Sequence, residues 1–287
     1  MSDAVLDVVE LGMPWVGLDP FIMTVHHLDR YPAGNDVMGP AASLQGRQIG
    51  ADFSYRDGWS MYHGDVVPGF PKHHHRGFGS VTVVSRGLVE QYEFMGATGR
   101  YGEGDVQWLT TGAGVMHAEM FPLINDTGPN VLELFQIWLN LPPESKMVPA
   151  HFSMLWGEDI PTLDVAPDVE IDVMAGEFEG HRPPSPPPDS WASASDSRLA
   201  IWLIRLGRDA RWTLPADVVG LNRMLHLFDG EDVAVDGVPI TKSTGVKVAS
   251  DATIDLENRG GPAGFLLLQG RPIGAPVFQM GPFVMNS

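Results

Sequence analysis

The amino-acid sequence predicts an all-β protein with many turns. Short segments rich in β-branched residues recur between residues 78 and 139, separated by glycine-containing turns. The chain contains 33 glycines and 24 prolines, a composition that favours turns over helix interiors. In the first half, no apolar pattern with a helical period extends beyond about three turns. Several short strands joined by turns are typical of a β-sandwich or a β-barrel.

The strands of the first half follow in chain order. Residues 78–85 (FGSVTVVS) are rich in β-branched side chains, and Arg86-Gly87 supplies a tight turn after them. Further strands are predicted at residues 88–94, at 106–109, around His117, and at 131–139. Before residue 70 the pattern is irregular. His26 and His27 are adjacent, so they cannot share one face of a strand, and we interpret them as surface residues.

The second half shows the same alternation of short strands and turns, after a proline-rich break at residues 140–149 (NLPPESKMVP). The break predicts two domains, residues 1–140 and 141–287. Strands are predicted at residues 164–175, 199–206, 211–214, 221–228, 246–248, 253–256 and 265–269. His226 is isolated on an apolar strand, and we interpret it as a core histidine rather than a ligand.

Composition excludes several classes of function. The formal net charge is -18, from 18 basic and 36 acidic residues, which argues against binding nucleic acid or an anionic membrane surface. The chain has no cysteine, so disulfides, zinc ribbons and iron–sulfur clusters are excluded. No signal peptide and no membrane span are recognised, and a cytoplasmic location is therefore expected.

Two short polar clusters carry the chemistry. The first contains His73 and His75, and the second contains His117 and Glu119. In an extended strand, side chains at i and i+2 share a face, so each pair can point into a barrel while His74 points away. Three imidazoles and one carboxylate suit a divalent first-row metal. Four protein ligands on an octahedral ion leave two positions open, as in a catalytic site.

These clusters lie within four stretches that resemble the pirin family, whose members are two-domain proteins of the cupin superfamily. The stretches are FPKHHHRGFGSVTVVSRG at 70–87, GDVQWLTTGAGVMHAEMFP at 104–122, FQIWLNLPPESKMVP at 135–149, and GPFVMNS at 281–287. The resemblance implies two jelly-roll-like cupin β-barrels packed face to face. It implies one iron in the N-terminal barrel, held by His73, His75, His117 and Glu119, and no metal in the second barrel.

Two positions depart from the family pattern. Pirins commonly have proline between the two ligand histidines, where this chain has His74. Many also carry an acidic residue where this chain has Gly79, which is expected to open space near the site. The resemblance leaves the substrate undecided for this reason.

The resemblance implies an oxidoreductase like the quercetin 2,3-dioxygenases, acting on a small aromatic substrate with dioxygen. Fe(II) is the expected cofactor, although these ligands also suit nickel, copper, manganese or zinc. The metal would lower the pKa of a flavonol hydroxyl as a Lewis acid. Glu119, the only anionic ligand, is the candidate catalytic residue that takes the substrate proton.

Three alternatives stay open. Some pirins are iron-dependent, redox-sensitive regulators that bind a transcription factor or a metabolic enzyme, and an acidic surface would suit a basic protein partner. The metal could instead only stabilise the barrel. A third possibility is another enolisable or phenolic substrate. Phe94, Trp108 and Met116 are candidates to line its pocket, but we interpret each of them first as an ordinary core residue.

Overall fold

The computed structural model describes residues 3–93, 96 and 98–287. In this part of the chain the regular structure consists of twenty-three β-strands and four single turns of 3-10 helix, without an α-helix. The predicted all-β class is confirmed. No helix in the described residues is long and apolar enough to cross a membrane. The 3-10 turns are Arg56–Gly58, Pro143–Ser145, Gly157–Asp159 and Trp191–Ser193.

The chain forms two compact units, and each draws on separate parts of the sequence. The first unit comprises Met1–Thr24, Trp138–Pro142 and Glu158–Ala275. The second unit comprises Val25–Ile137, Pro143–Gly157 and Pro276–Ser287, and it carries both polar clusters. The C-terminal segment of the chain therefore belongs to the same unit as the candidate ligands.

The strands that lie wholly or mostly in the second unit form two main sheets. Their bounds are β3 Phe21–Tyr31, β4 Gly69–His75, β5 Phe78–Arg86, β6 Leu88–Glu93, β7 Thr98–Gly102, β8 Val106–Thr110, β9 Val115–Met120, β10 Asn130–Asn140 and β11 His151–Leu155. One sheet has the order β4-β9-β6-β7, and every neighbouring pair in it is antiparallel. The other has the order β11-β8-β5-β10-β3. Side chains from both sheets, such as Tyr31, Val84, Val89 and Leu134, share one apolar core.

The first unit repeats this arrangement. Its strands are β1 Val5–Glu10, β2 Trp15–Val16, β12 Thr162–Ala166, β13 Val169–Ala175, β14 Ala200–Leu206, β15 Arg211–Leu214, β16 Asn222–Asp229, β17 Val233–Val235, β18 Val238–Ile240, β19 Thr244–Val248, β20 Ile254–Asn258 and β21 Ala263–Gly270. They form a seven-stranded sheet, β1-β19-β16-β21-β14-β13-β12, and a four-stranded sheet, β15-β20-β17-β18. β2 pairs with the beginning of β3.

The core of the first unit is apolar, and its buried histidine, His226, has a hydrogen-bond partner. Residues of both sheets, including Ile204 and Leu256, are fully buried in one cluster. Nδ1 of His226 lies 3.1 Å from the carbonyl oxygen of Leu266, and its ring stacks on Trp15 with 5.3 Å between centroids. The interpretation of His226 as a core histidine is confirmed.

The last strands, β22 Phe278–Met280 and β23 Phe283–Met285, form a small hairpin in the second unit. The hairpin pairs with the residue that follows β4, because Arg76 N donates to Pro282 O and Val284 N donates to Arg76 O. Gly77 has φ +81°, and a Cβ there would lie 2.0 Å from Val284 O. Only glycine allows this close approach.

Candidate metal centre

Strands β4 and β9 bring the two polar clusters together. In their antiparallel pairing His73 lies opposite His117, and Phe70 lies opposite Glu119. The register shifts between Phe70 and His73, so a bulge lies directly before the first ligand histidine. Gly69 begins the strand at φ +131°, and a Cβ there would lie 2.5 Å from the carbonyl oxygen of Glu119. The absent side chain lets β4 approach β9 closely at the site.

Three imidazoles form a compact group. One ring nitrogen from each of His73, His75 and His117 lies within 4.8 Å of the others. Nε2 of His73 is 2.9 Å from Nε2 of His75. His75 and His117 are buried, whereas His73 is half-buried. The group is therefore reached from the side of His73.

The geometry of these imidazoles fits a divalent metal. Two nitrogens at right angles on one ion, each about 2.1 Å from it, would be separated by roughly 3 Å, close to the observed 2.9 Å. His117 is fully buried, and neither of its ring nitrogens forms a hydrogen bond with any described residue. A buried polar atom without a partner costs about 1–3 kcal/mol, so the ring of His117 needs a ligand.

Burial keeps the histidines in the form that binds a metal. Burial lowers the pKa of His117 to about 4, against the opposing effect of nearby Glu119. Burial, with the neighbouring imidazoles His117 and His73, lowers the pKa of His75 well below its ordinary value. Neutral imidazole is the species that coordinates a metal ion.

Glu119 lies beside His117 but is not part of the compact group formed by the three histidines. Its Oε2 is 3.9 Å from Nε2 of His117, and its side chain is almost fully buried. Nε2 of Gln136 donates to Oε2 over 2.9 Å, and the hydroxyl of Thr82 donates to Oε1 over 3.4 Å. These bonds fix the carboxylate beside the imidazoles, and its role as a fourth ligand stays a prediction.

A second polar pair shares this face and was missed by the sequence argument. On β6, Glu93 lies opposite His117 and Gln91 lies opposite Glu119. Nε2 of Gln91 donates to Oε1 of Glu93 over 2.6 Å. Burial, together with the charge of Glu119, raises the pKa of Glu93 to about 7, despite the bond from Gln91. The alternation of Gln91 and Glu93 in LVEQYE was visible, but the register that places them beside the ligands was not.

The expected pocket residues face elsewhere. Thr82, which contacts Glu119, pairs with Gln107, whereas Trp108 pairs with Val81 on the opposite face of the sheet. Met116 pairs with His74, which is exposed on the face away from His73. Trp108 and Met116 therefore do not line a pocket beside the candidate ligands, because alternate side chains point to opposite faces. The interpretation of Trp108 as a core residue is confirmed, since its side chain is fully buried. Phe94 lies outside the described residues.

The prediction for Gly79 is also wrong. Phe78 contacts His75, with 5.1 Å between ring centroids, and Thr82 contacts Glu119. The even-numbered positions of β5 therefore face the candidate ligands, and position 79 faces away from them. Glycine at this position opens no space beside the metal centre.

His26 and His27 are not surface residues. His26 stacks on Phe135 with 4.4 Å between ring centroids, and its Nε2 lies 3.2 Å from Oε1 of Glu133. His27 is buried, and its Nδ1 lies 2.8 Å from the hydroxyl of Tyr62. The sequence interpretation failed because both faces of β3 are covered.

Sequence comparison connects both halves of the chain to one family. A family model described as Pirin matches residues 34–139, and one described as Pirin C-terminal cupin domain matches residues 201–287. A Pseudomonas aeruginosa protein, provisionally named a quercetin 2,3-dioxygenase, is 33% identical over 230 residues, covering 76% of this chain and 73% of that protein. Pirin-1 of Arabidopsis thaliana is 31% identical over 221 residues, covering 76% of this chain and 72% of that protein.

Solved structures share the fold. A quercetin 2,3-dioxygenase from Acinetobacter baumannii has a TM-score of 0.76 at 24% identity, covering 99% of this chain and 92% of that one. A bacterial pirin from Escherichia coli, solved in complex with nickel(II), has a TM-score of 0.55 at 15% identity, covering 90% and 85%. The two units are cupin domains. The chain belongs to the pirin family.

Proposed function

We propose that this chain is a divalent-metal-dependent dioxygenase that opens the ring of a flavonol such as quercetin. The observation that carries the proposal is the group of His73, His75 and His117, in which neither buried ring nitrogen of His117 has a hydrogen-bond partner among the described residues. The provisional dioxygenase name of the Pseudomonas relative supports the substrate class.

Fe(II) is the proposed metal, and another divalent first-row ion suits the same ligands. When bound, the ion supplies Lewis acidity that lowers the pKa of a substrate hydroxyl, together with the redox chemistry that dioxygen requires. Coordinating imidazoles carry no charge, so the metal's positive charge would be offset only by Glu119 as a fourth ligand. A net positive centre favours an anionic oxygen of the substrate.

Glu119 is the proposed catalytic residue. Its carboxylate oxygen Oε2 lies 3.9 Å from Nε2 of His117, and the carboxylate is proposed to accept the hydroxyl proton of the substrate at Oε1 or Oε2. Gln136 and Thr82 hold these two oxygens from the neighbouring sheet, which fixes their direction before the substrate arrives. The half-buried side chain of His73 lies on the side from which a small aromatic molecule and dioxygen would enter.

The test is turnover of quercetin by protein purified without oxygen and loaded with Fe(II). Quercetin absorbance and oxygen uptake are followed for the wild type, His75→Ala and Glu119→Ala, with His74→Ala as the control on the exposed face. We expect turnover in the wild type and in His74→Ala, and its loss in the other two variants.

Bound iron at one per chain without turnover of quercetin would overturn the proposal. That result would favour the iron-dependent regulatory function, with a basic protein as partner. A domain boundary at residue 140 and a cytoplasmic location stay predictions of the sequence.

A further inference from the structure

The pair formed by Gln91 and Glu93 leaves two buried acceptor atoms without a partner. Gln91 is 2% exposed and Glu93 is 5% exposed. Oε1 of Gln91 and Oε2 of Glu93 form no hydrogen bond with any described residue. Each such atom costs about 1–3 kcal/mol when buried, so a pair that serves only packing would be unfavourable. The two oxygens need hydrogen-bond donors.

The position of the pair indicates where those donors come from. His73, His117 and Glu93 lie side by side on the three neighbouring strands β4, β9 and β6. In the next row, Gln91 lies opposite Glu119. Side chains directly opposite each other on antiparallel strands have Cβ atoms about 5 Å apart. The pair therefore borders the metal centre on the side away from His73.

The internal bond of the pair fixes the direction of its remaining atoms. Because Nε2 of Gln91 donates to Oε1 of Glu93 over 2.6 Å, both the amide oxygen and the second carboxylate oxygen are left as acceptors. Among the described residues, no cationic side chain forms an ion pair with Glu93. Two adjacent acceptor oxygens can receive hydrogen bonds from a donor such as an aromatic hydroxyl group.

We infer that Gln91 and Glu93 form a second binding subsite, which accepts hydrogen bonds from a hydroxyl group of the substrate other than the one at the metal. This inference rests on the proposed function and names the substrate class more narrowly. The preferred substrate is a polyhydroxylated aromatic, in which one oxygen pair reaches the metal and a further hydroxyl reaches the acceptor pair. A flavonol without additional hydroxyls loses this second contact.

Two probes of the same skeleton test the inference. 3-Hydroxyflavone carries only the metal-binding oxygens, whereas galangin (3,5,7-trihydroxyflavone) adds two hydroxyls. Their dissociation constants are measured anaerobically on full-length protein loaded with Zn²⁺, so that binding is read without turnover. We expect the wild type to bind galangin about fivefold more tightly, the effect of one typical hydrogen bond.

Glu93→Gln is the informative variant. The glutamine keeps the volume of the side chain, and its amide oxygen can still accept the hydrogen bond from Gln91. Its NH₂ group then replaces the second carboxylate oxygen, so a donor faces the ligand where the wild type has an acceptor. We expect the preference for galangin to disappear while the affinity for 3-hydroxyflavone and the zinc content stay unchanged. Gln91→Met removes the other acceptor. It should also weaken the binding of galangin and leave the affinity for 3-hydroxyflavone unchanged. Thermal unfolding verifies that both variants fold.

The outcomes separate this inference from the proposed function. Equal affinities of the two probes for the wild type would overturn the subsite alone. So would an equal loss for both probes in Glu93→Gln, or a loss of zinc, because Glu93 would then act through the metal centre. If neither flavonol binds the zinc-loaded wild type, the proposed substrate class fails and the subsite fails with it.

Discussion

The side-chain amide of Gln136 donates a hydrogen bond to Oε2 of Glu119 over 2.9 Å. Gln136 lies on β10 and Glu119 lies on β9. The bond therefore joins the sheet β11-β8-β5-β10-β3 to the sheet β4-β9-β6-β7, which carries the candidate ligands. Thr82 of β5 contacts the other carboxylate oxygen. Glu119 is therefore oriented from the sheet opposite its own, and both sheets contribute to the candidate metal centre.

Replacing Gln136 by methionine should weaken metal binding by roughly 10–100-fold, because groups that orient a ligand contribute that much to affinity. Methionine keeps the length of the side chain but cannot donate to the carboxylate. Competition with a chromogenic chelator measures the affinity. His74→Gln, on the exposed face of the ligand strand, is the matched control and should bind as the wild type does. An unchanged affinity in Gln136→Met would show that Glu119 needs no orientation from β10.

The sequence was sufficient to predict which side chains of each ligand strand share a face. His73 and His75 do so by simple alternation, and His74 is exposed on the other side. Register between strands distant in sequence has no local signal. For that reason Gln91 and Glu93 were missed, although they lie opposite the predicted ligands of β9.

Burial was also hard to predict where the pattern is irregular. His27 and Asp29 of β3 are covered by a loop whose Tyr62 bonds to both side chains over 2.8 Å. That loop has few apolar repeats, so its packing depends on contacts with β3 rather than on its own periodicity. The burial of His27 and Asp29 therefore depends on tertiary contacts, which the local sequence pattern does not reveal.

Lys146 stabilises the C-terminal hairpin on the unit that carries the candidate metal centre. The side chain is 2% exposed, and its Nζ donates to Gly77 O over 2.7 Å and to Val284 O over 3.1 Å. Lys146→Met removes both bonds and should destabilise the protein by about 1–3 kcal/mol. Lys242→Met, which breaks an exposed pair with Asp229, should change stability by at most about 1 kcal/mol. Chemical denaturation compares them, and equal effects would contradict a structural role for Lys146.

Gly77→Ala should release the C-terminal hairpin. A Cβ at this position would lie 2.0 Å from Val284 O, and the backbone has φ +81°. Gly180→Ala is the matched control because its φ is +84° and nothing lies within 4 Å of its added Cβ. Both variants bear the cost of a positive φ, about 1–2 kcal/mol, but only Gly77→Ala adds the clash. Limited proteolysis with mass spectrometry should detect faster cleavage of residues 276–287 in Gly77→Ala alone. Equal rates would indicate that the hairpin moves aside without cost.

Asp29 and His27 respond to pH in opposite directions. Burial raises the pKa of Asp29 to about 7, although Tyr62 and Ser60 donate hydrogen bonds to it. Burial, with the charge of His26, lowers the pKa of His27 to about 3. The folded protein therefore holds the proton of Asp29 more tightly, and that of His27 less tightly, than the unfolded chain does. Between pH 4 and 6.5 the two effects should largely cancel.

Asp29→Asn should remove one of these opposing effects. The ionising carboxyl makes the wild type lose stability as pH rises from about 4 to 7, since the unfolded state releases the proton first. The variant cannot lose this proton. Its free energy of unfolding should therefore rise relative to the wild type over that interval, by up to ~1.4 kcal/mol per pH unit. The altered bonds to Tyr62 and Ser60 add an offset that does not depend on pH.

His27→Gln should change the pH dependence of the free energy of unfolding in the opposite direction. Taken alone, His27 contributes stability that increases as pH rises from about 3 to 6.5, because the unfolded chain releases a proton that the buried imidazole does not bind. Without His27 this contribution disappears. The free energy of unfolding of the variant should therefore decrease relative to that of the wild type as pH rises across this interval. Urea denaturation at half-unit steps of pH measures both differences in the same buffers. Parallel curves for the wild type and either variant would mean that the replaced group titrates alike in the folded and unfolded chains.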